Sequence, residues 1–294
     1  MSHGNCHRQH KIGTLEEEVT MKKINVARDA EDFSSPYKVA LIASHDEQGD
    51  VHISLLSSLM NRGDDEMVFG EFITGDSKTY IHERPKTGFL IMNLSMNFWT
   101  GTLDFYDKKT EGEEYIALNE LPLYRFNTYF GIHTVHYAKL REISDRKKLN
   151  LLGIVANAVR VMIGGLFLKG QEKKIMNAWT RTHTKKLGTL MFLGFTDEEG
   201  YPRLVPLVQG KSVSKSRILF TKAPYSKMTL DLKDGQRASI YAMNLDMETV
   251  LMKGLYTQYG AGYGALDIDR VYNSMPPVHR EIYPERPFEA VTTF

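Results

Sequence analysis

The sequence predicts a mainly β protein with linking helices (α+β), folded as two small β-barrels in tandem. Three observations lead there. Short apolar or alternating runs bounded by Asp/Glu-x-Gly and similar turns recur along most of the chain, which is the signature of hairpins. One phrase is spelled twice, since residues 72–93 read FITGDSKTYIHERPKTGFLIMN and residues 220–244 read FTKAPYSKMTLDLKDGQRASIYAMN. Landmarks in the two copies also keep a nearly constant offset. Gly49 and Gly200 stand 151 residues apart, as do Asn93 and Asn244, whereas Lys78 and Lys227 stand 149 apart, so small insertions fall in loops. A chain of 294 residues suits about two domains.

Taken in order, residues 1–18 are polar and read as a mobile tail. His3, Cys6, His7 and His10 lie there at spacings that a metal could use, but with no second cluster the tail reading is preferred. Cys6 is the single cysteine, and no apolar leader precedes it, so a reducing, cytoplasmic setting is expected. The first barrel, residues 19–146, carries KVALIAS, the turn at Gly49, DVHISLL, EMVFGEFI, TGFLIMN and finally GIHTVHYAKLREI. Residues 147–183 read as a helical linker. Within it, 149–168 has the length of a membrane span, but Arg160 sits near its middle, where a charge costs roughly 2.5–3.5 kcal/mol on insertion scales. Its residues Leu152, Val155, Val159, Met162, Ile163 and Leu166 form a helical stripe, expected to pack on a core. The second barrel, residues 184–294, carries GTLMFLGF, PRLVPLV, SRILFT and RASIYAMN. Pro202 and Pro206 place PRLVPLV at a sheet edge or bulge. Strands at this spacing favour closed barrels, which leave no free edges.

Charge excludes little by itself. With 37 basic and 36 acidic residues, the overall field argues for neither nucleic acid nor a membrane as partner. GAGYGA at 260–265 satisfies a dinucleotide fingerprint, but the prolines that follow forbid the required βαβ unit, so it reads as a loop. His133 and His136 fall on opposite faces of a strand and make a poor shared site. There is no Gly-x-Ser-x-Gly, no P-loop and no His-Glu-x-x-His.

The Ser-Lys segments invite a phosphate, because turn N–H groups, a hydroxyl and a cation together grip one. On pattern alone an ordinary solvated turn is the simpler reading. RLVPLVQGKSVSKSRILFTKAPYSKMTLDLKDGQRASIYA, however, resembles the pyridoxamine 5′-phosphate oxidase type of FMN-binding split barrel. The resemblance puts Arg203, Thr221 and Lys227 on phosphate-contacting positions, with Ser226 standing where those oxidases carry a second basic residue. DDEMVFGEFITGDSKTYIHERPKTGFLIMN resembles the flavin reductase branch of the same superfamily. Ser77, Lys78 and Thr79 match its phosphate-side turn, and Ser54 and Ser57 match the strand along the flavin ring. The resemblance implies two tandem split β-barrels forming an intrachain pseudo-dimer, with FMN in a seam between them. It further implies an oxidoreductase exchanging electrons with a small molecule or protein. A non-catalytic module for FMN, a deazaflavin or haem stays open, as do a scaffold without cofactor, pairing into a homodimer, and the choice of seam.

Overall fold

A computed structural model describes residues 23–71, 76–125, 131–170, 173–186, 188–207, 209–244, 246–260, 262–274 and 280–285. The first half begins with α1 (Val26–Ser34), capped by the Asn25 side chain, which accepts from the Arg28 N–H. There follow β1 (Lys38–His45), β2 (Val51–Leu55), β3 (Met60–Arg62), β4 (Glu66–Glu71), α2 (Asp76–Glu83), β5 (Lys86–Asn93) and β6 (Asn97–Lys109). Helices α3 (Glu113–Glu120) and α4 (Pro122–Arg125) precede β7 (Thr134–Ile143) and β8 (Lys147–Lys148). Between the halves lie α5 (Leu151–Gly164) and α6 (Ala178–His183). The second half contains β9 (Leu190–Thr196), β10 (Pro202–Pro206), β11 (Lys211–Ser212), β12 (Arg217–Thr221), β13 (Arg237–Met243), β14 (Thr249–Tyr259), β15 (Tyr263–Asn273) and β16 (Arg280–Tyr283).

The strands form two antiparallel sheets with one topology. The first runs β2-β1-β5-β6-β7-β4-β3 and the second β10-β9-β13-β14-β15-β12-β11. Local chemistry repeats with the topology. After β1, the Asp46 carboxylate accepts from the N–H groups of Gln48 and Asp50; after β9, Asp197 accepts from those of Glu199 and Tyr201. The left-handed position in each turn is a glycine, Gly49 at φ 81° and Gly200 at φ 83°. Asn93 accepts from the Asn97 N–H just as Asn244 accepts from Glu248, and Met96 and Met247 share positive φ.

The halves meet as a pseudo-dimer. Ser239 donates its hydroxyl to the Val51 carbonyl at 2.6 Å, and the counterpart contact brings Gly88 against the Pro202 carbonyl so closely that no Cβ would fit. His45 Nε2 lies 3.0 Å from Thr196 Oγ1, two positions 151 residues apart, so equivalent residues touch each other as they do on a two-fold axis. One apolar cluster runs through the junction, joining Leu41, Ile53 and Leu90 of the first half to Phe192, Leu193 and Ile240 of the second. The molecule is two tandem split β-barrels, mainly β with short helices. As the prolines require, β10 is an edge strand; it packs against β5 and β6 across the junction.

Three expectations change. The apolar stripe of α5 does not pack on a core: Leu152, Val155, Val159, Met162, Ile163 and Leu166 are exposed. The helix instead docks through small or slender residues, with Val161 against Leu219 and Ala265, and Gly164 against Tyr263. Small side chains at these positions let the helix backbone approach the barrel. Residues 147–183 are helical only in α5 and α6, each opened by an Asn cap at Asn150 and Asn177. GAGYGA is not wholly a loop, because Gly260 turns the β14–β15 hairpin at φ 56° while Tyr263 to Ala265 pair within it. His136 is buried and His133 exposed, and no group of metal-ligating residues occurs among the described ones. The tail and its His3, Cys6, His7 and His10 lie outside the described residues.

Candidate functional site

A two-fold arrangement creates two related seams, and here they differ. In the first, β6 and β7 face β10 and the short 3₁₀ turn Ser226–Thr229. A cleft of about 220 Å³ opens there, lined by Thr100, Gly101, Glu142, Ser144 and Lys147 from one half. Arg203, Leu204, Val205, Lys227, Met228 and Asp231 line it from the other.

The local fold sets each polar group. Arg203 is held on β10 by Asp197, whose carboxylate meets Nε at 2.6 Å and is only 4% exposed. Its outer arm reaches Glu142 across the seam at 2.6 Å, and Glu142 is 54% exposed. Burial draws the Arg203 guanidinium down, but Glu142 and Asp197 hold it above its ordinary value. Lys227 is exposed on the turn after β12 and has no ion pair among the described residues. That turn is fixed from within. The buried Gln209 amide donates to the carbonyls of Thr221 and Ala223, and the Tyr225 hydroxyl accepts from the Asn150 N–H. Ser144 accepts from the Thr100 N–H and donates to the Asp145 carbonyl, tying β6 to the end of β7 at the rim.

In the related seam the described side chains pack closely. His52, in the position corresponding to Arg203, is buried between the rings of Tyr80 and Tyr272, centroids 5.4 and 4.9 Å away. Behind it, Lys253 meets Asp46 at 2.7 Å, both 2% exposed, and its Nζ lies 3.5 Å from His52 Nδ1. Arg270 adds contacts to Asp46 at 3.0 Å and Asp50 at 3.2 Å. Burial lowers the Lys253 ammonium below its usual range, with Asp46 opposing only part of that. Burial pushes the Asp46 carboxyl up, yet Lys253 and Arg270 together hold it below the ordinary value.

Of the nine residues expected to hold a cofactor, Arg203 and Lys227 line the open cleft. Thr221 is turned inward, donating to the Ala223 carbonyl at 3.1 Å, and Ser226 is exposed beside Lys227. Ser54 on β2 and Ser57 just after it belong to the first half and do not line this cleft, and Thr79 is exposed on α2. The side chains of Ser77 and Lys78 lie outside the described residues. Thr100, Glu142, Ser144 and Lys147 escaped the sequence reading: Thr100 lies on β6, which was not assigned as a strand, and the others lie at or just after the end of β7, far along the chain from either Ser-Lys segment. The pseudo-symmetry was the signal that could have found them, since the seam must draw lining from both copies.

No protein-family model matches the chain, and no curated protein does. Solved structures are similar to it at low identity. An FMN-binding protein from Syntrophomonas wolfei is 17% identical, with TM-score 0.36, covering 42% of this chain and 86% of that one. A putative pyridoxamine 5′-phosphate oxidase from Lactobacillus delbrueckii is 13% identical, with TM-score 0.32, covering 42% and 100%. The styrene monooxygenase flavin reductase of Pseudomonas putida S12 is 10% identical, with TM-score 0.26, covering 43% and 99%.

Proposed function

We propose that the chain is a flavoprotein, a fused pair of duplicated barrels that takes FMN at the open seam and works as an oxidoreductase. The observation that carries this reading is the asymmetry of the seams. Among the described residues, one is crowded by His52, Tyr80, Tyr272 and Lys253, and the other keeps a polar cleft that presents Arg203 and Lys227. The donor set fits a phosphate in part. Lys227 supplies a charge with no carboxylate contact among the described residues, and Thr100 supplies a hydroxyl at the rim. Arg203 is anchored by the buried Asp197, while its bond to the half-exposed Glu142 is of a kind worth only about 0–1 kcal/mol, so an incoming anion can take that arm. The cleft itself is smaller than the roughly 300–1,000 Å³ of ligand pockets, so it seats part of the cofactor and leaves the rest toward solvent. A bound flavin would supply the redox chemistry; these side chains would bind and orient it.

Titration with FMN, followed by flavin fluorescence, tests the assignment. Lys227→Ala should weaken binding about tenfold, the scale of one charge-assisted hydrogen bond. Glu142→Gln should tighten it severalfold by removing a competing anion, and Lys78→Ala should leave it unchanged. Equal losses from Lys78→Ala and Lys227→Ala would overturn the choice of seam, and absence of FMN binding would overturn the reading as a whole. Reduction of bound flavin by NADH or NADPH separates an enzyme from a binding module.

A further inference from the structure

The helix α5 presents its large side chains to water and its small ones to the protein. Val161 is fully buried, with Ala158 and Asn157 within 10% of that, whereas Leu152 is 86% exposed and Phe167, just past the helix, 82% exposed. Val155, Val159, Met162, Ile163 and Leu166 extend the same bare surface. Contiguous apolar patches of this kind on a folded surface mark an interaction site. The charges along the segment that carries it have one sign. From Arg146 to Gly170 the sequence contains no Asp or Glu. Lys148 stands before the helix, Arg160 within it and Lys169 after it, all exposed and without an ion pair among the described residues. The overall charge of +1 conceals this local cluster.

We propose that α5 docks the protein on an anionic lipid bilayer, lying flat in the interface with its apolar side chains among the acyl ends and its lysines at the headgroups. No helix among the described residues is long and apolar enough to cross a membrane, and a surface helix needs no such length. A second copy of the chain is the weaker occupant. Parallel pairing along α5 would set Lys148 against Lys148, and antiparallel pairing would set it against Lys169, so both orientations bring unpaired cations together. An anionic surface instead answers the lysines at both ends at once, each nearby cation adding about fivefold to partitioning.

Flotation of the full chain with vesicles tests this, comparing phosphatidylcholine alone with phosphatidylcholine containing about 30% phosphatidylserine. The chain should float with the anionic vesicles and not the neutral ones, and release as salt is raised from roughly 0.05 M to 0.5 M. Leu152→Ser with Phe167→Ser should cut partitioning by about tenfold or more with an unchanged melting temperature, since both positions are exposed. Lys148→Gln and Lys169→Gln should each lose about fivefold, which keeps the test independent of the apolar variant's folding. Equal flotation with both vesicle types, or none, would overturn the proposal. So would a dimer in sedimentation equilibrium that the Leu152→Ser/Phe167→Ser variant dissociates, because the second copy would then be the occupant.

Discussion

Lys38, at the start of β1, is buried and donates to the Ser35 carbonyl at 2.5 Å, the one hydrogen bond its ammonium makes among the described residues. Burial pulls its pKa from 10.5 to about 8. Because the folded value is the lower one, the folded state carries the cost of the buried charge in full below pH 8. Stability should rise between about pH 8 and 10.5, where the folded state sheds the proton first. Lys38→Met should therefore stabilise the protein at pH 7, on the order of 2 kcal/mol, and flatten that rise; urea melts at pH 7 and pH 10 check both. Asp46 sits on the opposite side of the ledger. Asp46→Ala would leave Lys253 buried beside Arg270 and His52 with no carboxylate in contact, and should cost about 3–5 kcal/mol in urea denaturation. The depressed Asp46 value means that its contribution is present in full above about pH 4 and fades as pH falls below 3.8 toward the lower folded value. Neither residue was legible as buried. Lys38 opens a strand and Asp46 opens a turn, places where charged side chains ordinarily meet water, and the cations on Asp46, Lys253 and Arg270, come from the second half of the chain.

At the scale of elements, the strands were the readable part. Alternation and Gly turns located β1, β2, β4, β5, β7, β9, β10, β12 and β13, because half-buried strands write their two faces into the sequence. The run before GAGYGA read as strand-like, but its return strand β15 was missed, since a strand buried on both faces loses alternation and the Gly-rich turn resembled a loop. Helix α5 was found but its orientation was inverted. A stripe of large apolar residues normally marks the inner face, and nothing in the periodicity distinguishes a face that meets the core from one that meets something outside. The junction of β5 with β10 and of β13 with β2 offers a direct comparison. Gly88→Ala should destabilise by at least about 2 kcal/mol, because the new methyl meets backbone that cannot yield, namely the Pro202 carbonyl. The counterpart change, Ser239→Ala, removes one hydrogen bond to the Val51 carbonyl and should cost about 1–3 kcal/mol without steric conflict. Crystal structures of both variants check the difference, with a displaced β10 expected only for Gly88→Ala.

For the whole molecule, the shared core makes the halves interdependent. The largest apolar cluster holds Leu41, Val51, Ile53, Leu90 and Met92 from one barrel together with most of the interior of the other. Separating the barrels would expose that apolar surface to water, at roughly 25 cal/mol per Å². Urea unfolding should accordingly show one transition, coincident by far-UV circular dichroism and by tryptophan fluorescence; two resolved transitions would mean that the barrels fold independently. The asymmetry of the seams belongs to this scale as well.

The sequence by itself determined that the chain is mostly β, that it repeats one unit at an offset of 151 residues, and where most strands lie, because turns and alternation are local consequences of backbone chemistry. It also placed Arg203 and Lys227 among the candidate ligand residues. Only the tertiary structure decided which groups gather around Arg203, which carboxylates hold it, and which way α5 faces. Those are contacts between residues distant along the chain, and they depend on what the partner surface offers, which no local pattern encodes.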